Sequence, residues 1–250
     1  MAQKTSPWFA PLPLRGEVYA VTGGASGIGL ATSQMLSRKG ATVCIADINP
    51  EALKATGKFF AEQDLPYMIT RVDVSKRSQV DSWVASIIAQ HRRLDGAANV
   101  AGVIGKGHET ITVAEIQDEE WDKNVGVILT GTMYCLRAEL RHGVDGGSIV
   151  NISSIHGALQ NKPPLTKAAA LENGGREVRV NSVAPGATYT PLMRSSWDFL
   201  GSAKDAPFDD PSASKRQGTA QETASDIVFL LRPESALVSG SLYQVDGAWI

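Results

Sequence analysis

The sequence predicts an α/β protein, a Rossmann-like doubly wound parallel sheet of about seven strands with helices on both faces. Three observations predict it. Short runs rich in Val, Ile and Ala recur along the chain and are apolar throughout rather than alternating. Longer amphipathic segments separate them. The first run opens into a glycine-rich turn that leads directly into a helical pattern. Continuous apolar strands spaced by helices mark a parallel sheet covered on both faces. Right-handed crossovers then wind those helices onto its two sides.

The strand-like runs fall at 17–22, 41–46, 67–72, 96–100, 148–152, 178–184 and 241–245. Helical patterns fall at 27–39, 51–63, 77–92, 119–141 and 223–231. No repeat, low-complexity tract or Pro/Gly/Ser linker divides residues 1–250, so the chain reads as one domain with 1–14 as an N-terminal extension. Composition is ordinary for a globular protein, with 43% hydrophobic and 20% charged residues. The net charge of −2 offers no basic surplus for nucleic acid or an anionic membrane. The uncharged stretch 124–136 is too short to span a bilayer, and the N-terminus lacks the apolar run of a secretory signal. Cys44 and Cys135 cannot build a disulfide framework, and no Cys/His cluster suggests a metal. These features predict a cytoplasmic protein with buried free thiols.

The turn after the first strand reads Gly23-Gly24-Ala25-Ser26-Gly27-Ile28-Gly29, and Leu30, Ala31 and Met35 follow on an apolar helix face. Glycines permit a tight turn and close approach to a pyrophosphate, which meets the free N–H groups of the helix start. The competing reading is a glycine turn that holds nothing. Asp47 ends the next strand, 18 residues after Gly29. A carboxylate there can accept both hydroxyls of an adenosine ribose and repel a 2′-phosphate. At ~4 Å and an effective dielectric of about 20, a unit charge pair is worth on the order of 4 kcal/mol. Ala25, Ser26, Ile48 and Asn49 offer no offsetting cation, so NAD is favoured, with NADP as the alternative. The competing reading of Asp47 is a turn or helix-capping residue.

With these motifs in place, the chain resembles the short-chain dehydrogenase/reductase family in its single-domain form of roughly 250 residues. The resemblance spans nearly the whole chain. It rests on Thr22-Gly23-x3-Gly27-x-Gly29, Asp73-Val74, Asn99-Val100-Ala101-Gly102, Asn151-Ile152-Ser153-Ser154, Pro185-Gly186-Ala187-Thr188-Tyr189-Thr190-Pro191 and Val245-Asp246-Gly247. It implies a cofactor site of Gly23, Ser26, Gly27, Ile28, Gly29 and Asp47, with Asp73 and Val74 at the adenine. Asn99, Ala101 and Gly102 would line the ribose and brace the sheet, and Ala187 and Thr190 would hold the nicotinamide carboxamide. It also implies a homo-oligomer.

The resemblance assigns catalysis to a Ser that orients substrate, a Tyr acid/base, a Lys four residues later and an Asn on the preceding helix. Ser154 matches the Ser. Ile128 stands where the Asn is expected, and Asn124 lies one turn earlier, about 40° around the helix. No tyrosine lies between Tyr134 and Tyr189. The stretch 165–172, Leu-Thr-Lys-Ala-Ala-Ala-Leu-Glu, matches the later part of a family helix whose first turns carry Tyr-x-x-x-Lys, and those turns are missing. Ser154 to Arg179 spans 25 positions, roughly a dozen fewer than the family motif leads one to expect. A block lost between Pro164 and Leu165, in the gene or its translation, would leave such a pattern. Lys167 has Pro163 four residues before it and Lys162 has Ala158, so neither recreates the pair. His156 and Tyr189 are the outside candidates for a proton donor, against plain loop roles.

A crossover of this length still suffices for a loop and a helix of two to three turns, so the sheet closes over a truncated helix after the fifth strand. What goes is a wall of the active site and helix surface used by the family in dimers and tetramers, which weakens the oligomer expectation. Residues 192–220 are expected to form an irregular substrate lid. Leu192, Met193, Trp197, Phe199, Leu200 and Phe208 in it suggest a hydrophobic secondary alcohol or ketone, or else a local surface cluster. The spelling around Tyr189 resembles tailoring enzymes of secondary metabolism. The reading is thus a nicotinamide-dependent oxidoreductase with impaired catalysis, against a non-catalytic dinucleotide-binding sensor or partner protein.

Overall fold

The computed structural model describes residues 14–105, 111–155, 164–200 and 212–249. Seven strands form one parallel sheet: β1 (Val18–Thr22), β2 (Thr42–Asp47), β3 (Tyr67–Arg71), β4 (Gly96–Asn99), β5 (Ser148–Ile152), β6 (Arg179–Pro185) and β9 (Leu242–Val245). Their spatial order is β3-β2-β1-β4-β5-β6-β9. Each neighbouring pair is parallel. The order reverses between β1 and β4, which opens a crevice at the carboxyl ends of those strands, where open α/β sheets bind ligands.

The apolar runs form buried strands because both faces are covered. One face, with Val18, Ala20, Cys44, Ala97, Ile149 and Val180, packs beneath α3 (Arg77–His91) and α5 (Thr132–His142) around Trp83. The other, with Tyr19, Val21, Ile45, Ala98, Val150 and Val183, packs beneath α1 (Gly27–Arg38), α2 (Pro50–Glu62) and α8 (Ala220–Leu231) around Phe60 and Ile227. Alternate side chains of β1 to β6 feed the two cores, as the pleat requires. Cys44 and Cys135 are buried free thiols, and burial pushes the Cys44 thiol up to about 12.

The structure refines the sequence expectations at four places. Leu14, grouped with the N-terminal extension, is 1% exposed and donates its N–H to the Lys39 carbonyl at 2.7 Å, so the folded body includes it. The helix expected over 119–141 is divided into α4 (Asp118–Val125), a π-helical stretch over Gly126–Gly131, and α5. Glycines bracket the stretch, and a Cβ on Gly131 would press on Val74 at 3.0 Å. Such widened turns arise where the regular ladder cannot be kept, and they often border functional clefts. The segment expected to be irregular after Pro191 instead begins as a helix, α7 (Pro191–Leu200). Proline is pre-set for a first helical turn, and Thr190 Oγ1 accepts the Met193 N–H at 3.2 Å. Thr188–Tyr189 (β7) and Gly218–Thr219 (β8) pair as a small second sheet. The Thr219/Glu222 capping box starts α8 at Ala220, ahead of the periodic apolar pattern.

The crossover from β5 to β6 carries α6 (Pro164–Glu172), nine residues long. This is the short helix of two to three turns that the residue spacing allows. Residues 156–163, with His156 and Lys162, lie outside the described residues, as do 1–13 and 201–211.

Candidate functional site

A cleft of about 2040 Å3 opens along the carboxyl rim of the sheet. That is larger than the ~300–1,000 Å3 of a usual small-molecule pocket. It is lined from every motif named above except Val245-Asp246-Gly247: Gly23, Ser26, Gly27, Ile28 and Gly29; Asp47; Asp73 and Val74; Ala101 and Gly102; Ser154; Ala187 and Thr190. Asn99 stands just beneath it, 2% exposed.

The glycine turn is built for close approach. Gly23 (φ +62°) and Gly27 (φ +49°) occupy the left-handed region, which side chains disfavour. A Cβ on Gly29 would run into the Gly23 carbonyl oxygen, and one on Gly23 would come within 2.9 Å of Ala101. Ser26 occupies the N-cap of α1 without a side-chain cap hydrogen bond, and no acidic residue stands in the first turn. The amide end of that helix thus borders the cleft without a side-chain cap or an acid of its own first turn, a fitting seat for an anion.

Asp47 braces this turn. Its Oδ2 accepts the Ala25 N–H at 3.2 Å and its Oδ1 accepts the Asn49 N–H at 3.0 Å. Asn49, not Asp47, caps α2, accepting from Glu51 and Ala52. The carboxylate keeps lone pairs on both oxygens for hydroxyl donors in the cleft. Asp73 uses Oδ1 to accept from the Ser75 N–H and hydroxyl at 3.0 and 2.6 Å, which shapes the turn at the cleft edge. Thr22 Oγ1 accepts the N–H groups of Val100 and Ala101 at 3.1 and 3.2 Å and ties the β1 and β4 turns together.

Two contributors escaped the sequence reading. Arg71 pairs in register with Asp47 across β2 and β3, and its Nε donates to the Ile48 carbonyl at 3.2 Å. A cation therefore stands one residue from the acid, a signal found only by aligning the two strand ends. The second is a polar row beneath the cleft. Thr22, Asn99, Asn151 and Ser182 are in register across β1, β4, β5 and β6. Asn99 Nδ2 donates to Glu139 Oε2 at 2.9 Å and to Asn151 Oδ1 at 3.0 Å. Asn151 Nδ2 donates to Thr166 Oγ1 at 3.0 Å, and that hydroxyl shares a 2.7 Å hydrogen bond with Ser182. Burial pushes the Glu139 carboxyl up to about 7, with the Asn99 amide pulling the other way.

On the substrate side, Ser154 is exposed and lines the cleft. Ile128, on the π-helical stretch, presents an apolar side chain to it, and Asn124 lines it while donating to its own helix at Glu120 O, 2.9 Å. Tyr189 lines it and is 55% exposed. Leu165 and Thr166 of α6 border the cleft, whereas Lys167 packs beside Gly240 and does not line it. Trp249 adds an aromatic wall, and its bridge to Ser212 ties it to the end of the lid segment. Among the described residues no helix is long and apolar enough to cross a membrane, and no group of three or more His, Cys, Asp or Glu could hold a metal ion.

Comparison with known proteins agrees with this geometry. The family model described as enoyl-(acyl carrier protein) reductase matches residues 23–249. A protein of Pyricularia oryzae named short-chain dehydrogenase/reductase ABA4 is 62% identical over 252 residues, covering 96% of this chain and 94% of that protein. A chanoclavine-I dehydrogenase of Penicillium roqueforti is 37% identical over 255 residues, covering 91% and 95%. The crystal structure of levodione reductase superposes with a TM-score of 0.84 at 30% identity, covering 93% of this chain and 97% of that one.

Proposed function

The chain belongs to the short-chain dehydrogenase/reductase family of oxidoreductases, and from that premise we propose that it binds NAD in the rim cleft and acts on a hydrophobic secondary alcohol or ketone, with catalysis impaired. The family binds nicotinamide dinucleotides. The observation that carries the binding half is the glycine cradle, whose Gly23 and Gly29 positions have no room for a Cβ and which opens on an uncapped helix start. The residues suit such a cofactor. Gly23, Ser26, Gly27, Ile28 and Gly29 would hold the pyrophosphate, Asp47 the adenosine ribose, Asp73 and Val74 the adenine, and Ala101 and Gly102 the ribose wall. Ala187 and Thr190 would hold the carboxamide. Asp47 supports NAD over NADP, and Arg71 nearby favours tolerance of a 2′-phosphate.

The bound nicotinamide supplies or accepts a hydride. The protein must place the substrate carbon against it and move a proton at the oxygen. Ser154 would orient that oxygen. Ile128 can neither accept nor donate a proton, and Lys167 faces elsewhere. Loss of an acid/base commonly costs ~10²–10⁴-fold in rate. Ile128, Leu165, Leu192 and Trp249 in the lining support an apolar substrate. A tailoring role in secondary metabolism is supported by the fungal relatives, the chanoclavine-I dehydrogenase among them. The missing proton donor also favours a second reading, a dinucleotide-binding sensor or partner that turns nothing over. Calorimetric titration with NAD, with Gly27→Val as control, tests the binding half. Absence of heat from the native chain rejects it, and robust turnover of alcohols by the native chain rejects impaired catalysis.

A further inference from the structure

Glu139 is the one acidic residue in the described core, 2% exposed on α5, and it is joined to Asn99 by a single hydrogen bond. Two oxygens of this pair have no partner among the described residues, Glu139 Oε1 and Asn99 Oδ1. Both are acceptors, and both belong to planar groups already linked through Oε2 and Nδ2. Two buried acceptors left unpaired on one hydrogen-bonded pair of side chains are costly. One proton removes both deficits. Placed on Oε1, it donates to Asn99 Oδ1 while Asn99 Nδ2 keeps donating to Oε2. The second hydrogen of that amide remains on Asn151 Oδ1 at 3.0 Å.

We propose that Glu139 is carried as the neutral acid, closing a two-bond ring with the Asn99 carboxamide, and that it is the positioning residue for the Asn99–Ala101 strap of the nucleotide cleft. The strap is the part of the cleft that Asn99 starts, and its Val100 and Ala101 amides are the ones held by Thr22. The same Asn99 amide leads through Asn151 to Thr166 and Ser182, all three of which line the cleft floor. Ionising Glu139 breaks the ring at the end of this chain, so the cofactor site feels a group that never touches it. Burial favours the neutral form and is the main influence on it.

The groups around Glu139 leave that state in place. Cys135 on the same helix is a buried thiol, itself pushed up by burial. Asp95, Ser148 and Arg176 border the same small void. Asp95 is paired with Arg93, and Arg176 is held by Asp145 and by the Leu140 and Gly143 carbonyls. From α3, which packs on α5, the ionisable group with a buried ring nitrogen is His91. A carboxyl whose pKa is raised on folding stabilises the fold below its unfolded value, near 4.3, and that contribution is lost as pH rises towards about 7.

The test compares the full native chain with Glu139→Gln, whose amide can make both ring bonds without titrating. Melting temperature without ligand is measured from pH 4.5 to 8. The variant should gain on the native chain steadily up to about pH 7 and hold that gain above it. A constant difference across the range overturns the proposal. NAD titration at pH 6 and 8.5 adds the functional arm, which rests on the cofactor reading. The native Kd should weaken by about fivefold at the higher pH, the worth of roughly one buried hydrogen bond, while Glu139→Gln stays flat. Equal pH dependence of Kd in both chains overturns the positioning role. Absence of NAD binding in both chains rejects the cofactor reading and with it the positioning role, while the melting profiles still decide the protonation state.

Discussion

If the rim cleft holds the proposed cofactor, the choice between NAD and NADP should turn on Asp47 and Arg71, two side chains in register on neighbouring strand ends. Asp47 holds the glycine turn through Ala25 and faces the cleft, and Arg71 anchors on the next carbonyl, that of Ile48. Opposite charges this close act on a 2′-phosphate in opposite senses. A unit pair at ~4 Å is worth on the order of 4 kcal/mol at an effective dielectric of about 20, and solvent at this half-buried rim screens much of it. Asp47→Ser should therefore raise NADP affinity relative to NAD by about tenfold or more. Adding Arg71→Ala should take back a part of that gain. Calorimetry with both dinucleotides reads the ratio, and an unchanged ratio in Asp47→Ser would remove Asp47 from the ribose site. Gly29→Ala tests the cradle itself, because its Cβ meets the Gly23 carbonyl. NAD binding should fall at least tenfold, the equivalent of ~1.4 kcal/mol, with the far-ultraviolet circular dichroism of a folded chain. The glycine turn and Asp47 were legible in the sequence because local spacing alone relates them. Arg71 and Glu139 were not, because sheet register and helix packing bring them in from 24 and 40 residues beyond their partners Asp47 and Asn99.

Among the elements, α6 carries the question of competence. Its nine residues keep Thr166 in the polar row and Leu165 on the cleft wall, yet no tyrosine lies between Tyr134 and Tyr189. The crossover keeps β6 in register with β5 over five residue pairs, so a helix of nine residues suffices to close the sheet. Insertion of turns bearing Tyr-x-x-x-Lys before Leu165 should raise kcat for a secondary alcohol by ~10²–10⁴-fold. The native chain and the insert should bind NAD at the same turn. Equal rates in both would show that some other group moves the proton, and Tyr189, on the cleft lining, would be the first to replace with Phe. The seven strands of the main sheet were legible to within a residue or so of each end because burial on both faces leaves continuous apolar runs. The π-helical stretch was not, since Val127, Ile128 and Leu129 look as regular as any helix. Only the packing of Gly131 against Val74 shows why the ladder widens there. The start of α7 was missed because its Pro191 looks like a breaker, although a proline in the first turn favours a helix.

For the whole molecule, the sheet joins two cores that share strands β1 to β6 but touch different helices. Trp83 and its neighbours lie on the α3–α5 side, and Phe60 lies on the α1–α2–α8 side. Both are essentially excluded from water. Because successive residues of a strand point to opposite faces, losing either core frees one half of each of β1 to β6 and so undermines the other. The chain should therefore unfold as one unit even though its cores are separate. Trp83→Ala and Phe60→Ala should each cost about 3–5 kcal/mol. For a chain of this size that corresponds to a fall in Tm of roughly 6–20 °C. Calorimetric heating should show a single transition in the native chain and in each variant, shifted in both. A second transition appearing in either variant would mean that the faces melt separately, and the rim cleft, which draws Asn99 and Asn151 from one face and the glycine turn from the other, could then be lost while half the fold remained.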